Sequence, residues 1–479
     1  MRQLRTLPRP FTPDGSYPRR WSALVALLLA EAMNLLDATV VQVAAPAIHA
    51  ELGGAASDIQ WFTTAYTLPF AVLLITGGRL GDIAGRRKLF VLGVTGFTLA
   101  SLACALAPGV GFLIVFRAVQ GASAALVIPQ TIGLIKAMFS GDEMSRALGA
   151  IGPVMGLAAV CGPVLGGVLT HADLFGSSWR AVFLVNVPLA LVVLALSPRL
   201  PEDRAPNRPT LDITGTLLAT AGTGLLVHPL IGADISRLSG RSWAAVASGL
   251  LILAAFALHQ RRVAATGRSP LLEPSLFARR AFPAALVAST AFFAATTGLM
   301  TVVVLQLQLG LGAGVLKAGL TLAPWSVGLA VSSWAAGAHL VRRYGHRVML
   351  VGLGVLLTGT VGAILAYGRT VPGAYPVRLL PALAVVGLGA GLFTPAFFTQ
   401  ALEPLRAQES GSAAGLLNAV QQLGATLGVA ILGSVYLAGA GAGTGDAQGS
   451  LHAVRIAFWG AVGLVGVSVG ASCAMGRET

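Results

Sequence analysis

The sequence predicts an all-α integral membrane protein of fourteen transmembrane helices, built as two six-helix bundles plus two extra linker helices. Three observations carry that prediction. Of 479 residues, 55% are hydrophobic and 10% charged, and the mean hydropathy is +0.79, more apolar surface than a soluble chain can hide. Fourteen apolar stretches reach the roughly 20 residues that a hydrocarbon core requires. Segments of the first half also reappear in the second half at nearly constant offset, a common architecture of secondary transporters.

The stretches run 21–47, 57–77, 88–107, 110–135, 145–169, 180–197, 211–231, 243–260, 282–309, 317–340, 348–368, 377–402, 409–438 and 452–474, separated by Pro, Gly or charge. The first is too long for the apolar region of a signal peptide and carries charge, so it is an uncleaved span despite Ala45-Pro46-Ala47. Placing the N-terminus inside assigns 24 of the 32 Lys and Arg residues to cytoplasmic segments, seven to the outside and one to the membrane interior. Both termini are therefore expected in the cytoplasm, with the protein in the cytoplasmic membrane. The expected organisation is a tail over 1–20, a bundle over 21–198, a linker with helices 7 and 8 over 199–280, a second bundle over 281–475 and a short tail over 476–479. Arg2, Arg5, Arg9, Arg19 and Arg20 make the first tail a surface anchor on the bilayer.

Shifting the chain by 260 residues lays Gly77, Leu80, Gly85 and Arg87 over Gly337, Leu340, Gly345 and Arg347, while Asp82 meets Arg342. A shift of 266 lays Gly121, Ala124 and Pro129 over Gly387, Ala390 and Pro395, and Gly149, Gly162 and Gly167 over Gly415, Gly428 and Gly433. Helices 2 to 5 thus match helices 10 to 13.

The charge pattern excludes several function classes. The net charge of +14 fits positive-inside loops, so no nucleic acid partner is expected. Cys104, Cys161 and Cys473 lie in apolar runs and form no CxxC pair. His228 beside Pro229 has no second ligand at metal spacing, and no metal is expected. The three lysines include no GxxxxGK[ST] phosphate loop, and HExxH and GxSxG are missing, so the chain is not expected to be an enzyme or to use ATP through that device.

A charge at the membrane centre costs about 2.5–3.5 kcal/mol, so intramembrane ionisable groups are candidates for function. Of the 18 acidic residues, Glu31 and Asp37 lie deep within a span, both on helix 1. At about 1.5 Å per residue, Asp37 and Arg117 of helix 4 sit at comparable depth and are expected to pair. Burial penalises the charged carboxylate and a neighbouring arginine favours it, the competition a proton-coupling site needs. A purely structural buried ion pair is the competing reading. Glu31, Asn34 and Asp37 spread over about a 120° arc, a polar face suited to a water-filled cavity. Glu31 is read there as a second protonation site or an attractor of cations, against snorkelling towards headgroups.

Three sets of residues together resemble one family. Gly78, Leu80, Asp82, Gly85, Arg86 and Arg87, in a charged turn over 78–88, look like motif A of the major facilitator superfamily. Leu36-Asp37-Ala38-Thr39-Val40-Val41, Gln60-Trp61 with Tyr66, Arg117 with Gln120-Gly121, and Trp179-Arg180 with Phe183, Asn186 and Pro188 resemble signatures of its 14-helix drug:proton antiporter branch. Gly149, Gly162, Pro163, Gly166 and Gly167 match its antiporter motif C, with Ala158 where a glycine is usual.

The resemblance implies a major facilitator fold, proton coupling at Asp37 and Arg117, a conformational gate at motif A and export rather than uptake. The expected activity is alternating-access export of a small hydrophobic compound, such as a drug or antibiotic and including cations, driven by the proton gradient without a cofactor. An endogenous metabolite such as a siderophore, peptide or lipid is the alternative cargo, and a non-transporting sensor the reading from another class. Asn34, Gln308, Trp325, Asn418 and Gln422 are the expected cavity residues, with interhelical hydrogen bonding the alternative for the amides. For both Trp325 and Trp334 of helix 10, an interfacial or packing role is the alternative to stacking on aromatic cargo. The protein is expected to be a monomer. Since Asp82 maps onto Arg342, motif A is expected to hold the acidic group that latches the halves.

Overall fold

A computed structural model describes residues 17–173, 176–204, 210–231, 239–266, 270–278, 280–403, 410–440 and 447–476. Arg2, Arg5 and Arg9 of the expected anchoring tail, and residues 477–479, lie outside the described residues. Among the described residues there is no strand, and fourteen helices are long and apolar enough to cross a membrane. They are α1 (Arg20–Leu52), α2 (Asp58–Ala84), α3 (Arg86–Ala105), α4 (Val110–Met138), α5 (Arg146–Ala172), α6 (Ser178–Arg199), α7 (Ile213–Leu230), α8 (Gly240–Ala265), α9 (Ala281–Gly310), α10 (Val315–Tyr344), α11 (His346–Gly368), α12 (Leu379–Leu402), α13 (Ser412–Gly439) and α14 (Ala447–Met475). The helix ends near residues 20, 85, 140 and 200 define what we term the basic end, and those near 52, 108, 173 and 310 the far end.

The two halves pack by the same scheme. In the first half α1 lies on α5, α2 on α4 and α3 on α4; in the second, α9 lies on α13, α10 on α12 and α11 on α12. Glycines at the crossings explain why the repeat is visible in them. A Cβ on Gly121 would fall 2.0 Å from the Tyr66 carbonyl oxygen, and one on the matching Gly387 2.0 Å from that of Trp325. A Cβ on Gly162 would strike the Thr39 side chain on α1, as one on Gly428 would strike the Ala294 carbonyl on α9. Without side chains these backbones touch, which is how helices associate where lipid supplies no hydrophobic drive.

The halves meet along two seams, α2 against α13 and α5 against α10. On the first seam Gln60 Nε2 donates to the Val429 carbonyl (3.1 Å) and to Ser434 Oγ (3.2 Å) towards the far end, while Thr67 and Thr426 hydroxyls meet at 2.7 Å nearer the middle. Gln42 Nε2 of α1 donates to Thr301 Oγ1 of α9 (2.7 Å), and Gln308 Nε2 of α9 donates to the Val43 carbonyl (2.8 Å). Polar groups that lipid cannot satisfy thus bind one half to the other.

The linker helices form a hairpin. Asp212 caps α7 by accepting from Gly215 N–H (2.8 Å), and the same carboxylate accepts from Gln260 Nε2 (2.7 Å) and pairs with His259 (2.8 Å) on α8. Gly222 and Gly249 form the helix crossing. Towards the basic end Thr76 of α2 bonds Thr216 of α7 (2.9 Å), and towards the far end Ser434 Oγ of α13 donates to the Leu230 carbonyl (2.8 Å). The hairpin therefore touches both halves along the α2/α13 seam.

Candidate functional site

The pair expected from helix depth forms. Arg117 Nη1 lies 2.5 Å from Asp37 Oδ2, with both side chains fully shielded from solvent. Such a pair requires further hydrogen bonds to offset desolvation, and it has them. Gln120 Nε2 (2.9 Å) and Asn186 Nδ2 (2.8 Å) donate to Asp37 Oδ1, and both amides also donate to Ser101 Oγ. Arg117 donates through Nε to the Phe62 carbonyl (2.9 Å) and through Nη1 to Gln120 Oε1 (2.7 Å), and its guanidinium lies 4.4 Å from the Tyr66 ring centroid. Helices α1, α2, α3, α4 and α6 thus converge on one carboxylate. Two polar atoms of the cluster, Arg117 Nη2 and Asn186 Oδ1, are buried without a protein hydrogen-bond partner.

A cavity of about 310 Å³ lies between the halves. Glu31, Asn34, Trp325, Asn418 and Gln422 line it, as does Pro163 of motif C. Asp37 and Arg117 do not, so the polar arc of α1 divides: Glu31 and Asn34 face the cavity, and Asp37 faces α3, α4 and α6. Gln308 is a correction. It is not among the cavity-lining residues, and its amide is committed to the Val43 carbonyl across the halves. Trp334 is exposed at 65%, consistent with the interfacial reading. Tyr66, Phe70, Phe293, Met155 and Met300 complete much of the apolar wall. Sequence reasoning did not select the last four, because an apolar side chain in a membrane helix carries no mark of which way it points.

Motif A differs from the expected turn. Helix α2 continues through Gly78 and Asp82 to Ala84, and α3 starts at Arg86, so the chain reverses at Gly85 alone, where φ is 112°. Only glycine adopts that conformation readily, and a Cβ there would also strike the Glu202 side chain. Asp82 pairs with Arg86 (2.8 Å), which pairs with Asp203 (2.8 Å) beyond α6 and donates its backbone N–H to the Asp203 carbonyl (2.9 Å). Arg79 donates to the Thr210 carbonyl (3.5 Å) and the Pro270 carbonyl. These bonds tie motif A to the segment after α6 and to the linker. Burial raises the Glu202 carboxyl above its ordinary range, opposed by Arg204 and by Arg87 of the same motif.

In motif C the glycines differ in role. Gly162 and Gly166 pack on Thr39 and Val40 of α1, and Gly167 on Val315 and Leu316 of α10. The Pro163 carbonyl lies against Gly319 of α10. Gly149 has nothing within 4 Å of its Cβ direction and belongs to no close crossing. The signature residues Trp179 and Arg180 sit away from the cavity, bonded to Glu51 at the far end of α1. His228 packs its ring 5.5 Å from that of Trp61, and no metal-holding cluster occurs among the described residues.

Comparison with known proteins gives this arrangement a family. A probable actinorhodin transporter of Streptomyces coelicolor is 44% identical over 431 residues, covering 88% of this chain and 75% of that protein. The puromycin resistance protein of Streptomyces alboniger is 35% identical (94% and 90% covered), and a cephamycin export protein of Amycolatopsis lactamdurans 35% identical (90% and 87%). Among solved structures, a bacterial homolog of the human lysosomal transporter Spinster, inward-facing and occupied, superposes with a TM-score of 0.69 at 18% identity over 97% of this chain and 98% of that one, a likeness of fold. The model of the Major Facilitator Superfamily matches residues 27–429, and this multi-pass membrane protein belongs to that superfamily.

Proposed function

We propose that the protein is a proton-coupled antiporter that exports small hydrophobic compounds of the antibiotic type, hydrophobic cations among them, by alternating access. The observation that carries the reading is a carboxylate, Asp37, buried in the first half and held by Arg117, Gln120 and Asn186 behind the wall of a cavity shared by both halves. The relatives, described as transporters, resistance proteins and exporters of antibiotics, support the cargo class and the outward direction.

Asp37 holds the proton in one state and Arg117 neutralises the carboxylate in the other. Asn186 suits both states. Its amide now donates to Asp37, and its unpartnered Oδ1, after a turn of the amide, accepts from the neutral acid. In this reading the basic end faces the cytoplasm, because positively charged segments stay inside. The far-end bonds of Gln60 and Gln308 then keep the outside closed while cargo enters from the cytoplasm or inner leaflet. Glu31, the acid on the cavity wall, favours cationic cargo. Export of an endogenous metabolite with the same coupling is the alternative reading, with its cargo entering the same cavity.

The test is an efflux panel in a pump-deficient bacterial host expressing this chain, run with and without an uncoupler. Resistance to at least one hydrophobic antibiotic that collapses with the uncoupler is expected. Efflux that persists without a proton gradient removes the coupling.

A further inference from the structure

The proton site and the cavity are separate, which raises the question of how one senses the other. Asp37 and Arg117 are sealed from solvent and absent from the cavity wall. Tyr66 belongs to both. Tyr66 borders the cavity while only 1% exposed, and the Arg117 guanidinium lies 4.4 Å from its ring centroid, while its hydroxyl donates to Asn34 Oδ1 at 2.6 Å. Asn34 lines the cavity too, three residues before Asp37 on α1. The Tyr66 backbone is pinned by Gly121 of α4, one turn from Arg117 and next to Gln120. A cation over a desolvated aromatic face is held there by the ring quadrupole, so displacement of this ring is felt by Arg117.

The repeat supplies an internal control. Trp325 is the counterpart of Tyr66, lining the same cavity and pinned by Gly387 as Tyr66 is by Gly121. At the shift of 266 that pairs Gly121 with Gly387, Arg117 corresponds to Leu383, a buried apolar residue. Both halves therefore present an aromatic wall to cargo, and only the first has an ion pair behind it.

We propose that Tyr66 is the positioning residue through which an occupied cavity acts on the proton site: cargo seats the ring against Arg117, holds Arg117 on Asp37, and so favours release of the proton. This rests on the antiport reading above. Arg117 of α4, Tyr66 of α2, Cys104 of α3 and Glu31 of α1 itself are the titratable groups around Asp37. From α6 comes neutral Asn186, and α5 and α9 carry no charged residue between their ends.

The experiment measures the Kd of purified full-length protein for ethidium, a planar aromatic cation, by its fluorescence across pH 5–9. If cargo and proton compete at one carboxylate, the wild-type Kd falls up to tenfold per pH unit over part of this range. Asp37→Asn flattens that slope. Tyr66→Leu is expected to flatten it as well, and Tyr66→Phe, which keeps the ring, to restore it. Trp325→Leu changes the Kd but keeps the slope. Tyr66→Met replaces the leucine variant if that one does not fold. A full wild-type slope in Tyr66→Leu or Tyr66→Met, or a slope lost equally in Trp325→Leu, overturns the role of Tyr66 and leaves the antiport reading standing. A wild type that fails to bind ethidium or binds it independently of pH, or a slope that survives Asp37→Asn, overturns that reading and the inference with it.

Discussion

Gln60 of α2 donates through Nε2 to Ser434 Oγ of α13 across the two halves at 3.2 Å, while that hydroxyl gives its own proton to the Leu230 carbonyl at 2.8 Å. A Cβ on the neighbouring Gly433 would strike the same amide, so the contact fits only because that position is glycine. Net loss of one such bond costs about 1 kcal/mol, a shift of roughly fivefold in an equilibrium. Gln60→Ala is therefore expected to raise the population open at the far end about that much. Spin-label distances between α2 and α13 would show it, and an unchanged distribution would assign the closure to other contacts.

Removing one member of the buried pair has different consequences for the two partners. Arg117→Ala leaves Asp37 charged and unpaired, which costs about 3–5 kcal/mol if the carboxylate stays ionised. A marked fall in melting temperature is expected. Asp37→Asn keeps the hydrogen-bonding shape, so the protein should insert normally and lose proton-driven efflux. Undiminished transport in proteoliposomes under a pH gradient would remove Asp37 from the mechanism.

The repeat glycines separate into two groups that substitution should distinguish. Gly121→Val and Gly387→Val force a side chain into a neighbouring backbone and should abolish most folded protein. Gly149→Ala and Gly337→Ala meet nothing within 4 Å and should be neutral or stabilising by about 0.5–1 kcal/mol. Detergent-solubilised yield by fluorescence size exclusion reads all four; equal yields would contradict the crossings.

Asp212 offers a pH test outside the membrane spans. Burial pushes its carboxyl up, but the bonds from His259, Gly215 N–H and Gln260 outweigh it and hold it below the ordinary range. A depressed carboxylate contributes stability above its unfolded value, near 4, and that contribution is lost as pH falls through the lower folded value. Limited proteolysis of the α7–α8 hairpin with an acid-active protease should therefore accelerate below about pH 4. Asp212→Ala, losing a cap worth about 1 kcal/mol, should be cleaved faster already at pH 6.

Asp82 bonds within its own turn, so its loss should act on movement and leave cargo binding intact. Asp82→Asn removes the negative charge that Arg86 pairs with, keeping only a neutral amide acceptor, and loosens the tie between α2, α3 and the segment after α6. Slower turnover with an unchanged Kd is the expected outcome in vesicles. Normal turnover would reduce motif A to a marker of topology.

The sequence alone determined the fourteen spans, the twofold repeat and the two facing helices that carry a buried acid and a buried base. Those features are linear: apolar length, a spacing between glycines and a depth counted in residues. It also singled out Glu31, Asn34, Trp325, Asn418 and Gln422, because polar or indole groups stand out in an apolar background. Only the tertiary structure decided which way each of them faces. Glu31 and Asp37 lie six residues apart on one helix, yet the first meets the cavity and the second meets α3, α4 and α6. Rotation of α1 about its axis is fixed by Gly162 and Gly166 on α5, a contact between segments some 120 residues apart. The same holds for Gln308, which reads as cavity lining until the seam brings Val43 to its amide, and for Gly149, which reads as a crossing until nothing is found against it. Direction and proximity belong to packing, and packing is a property of pairs of helices that no single stretch of sequence contains.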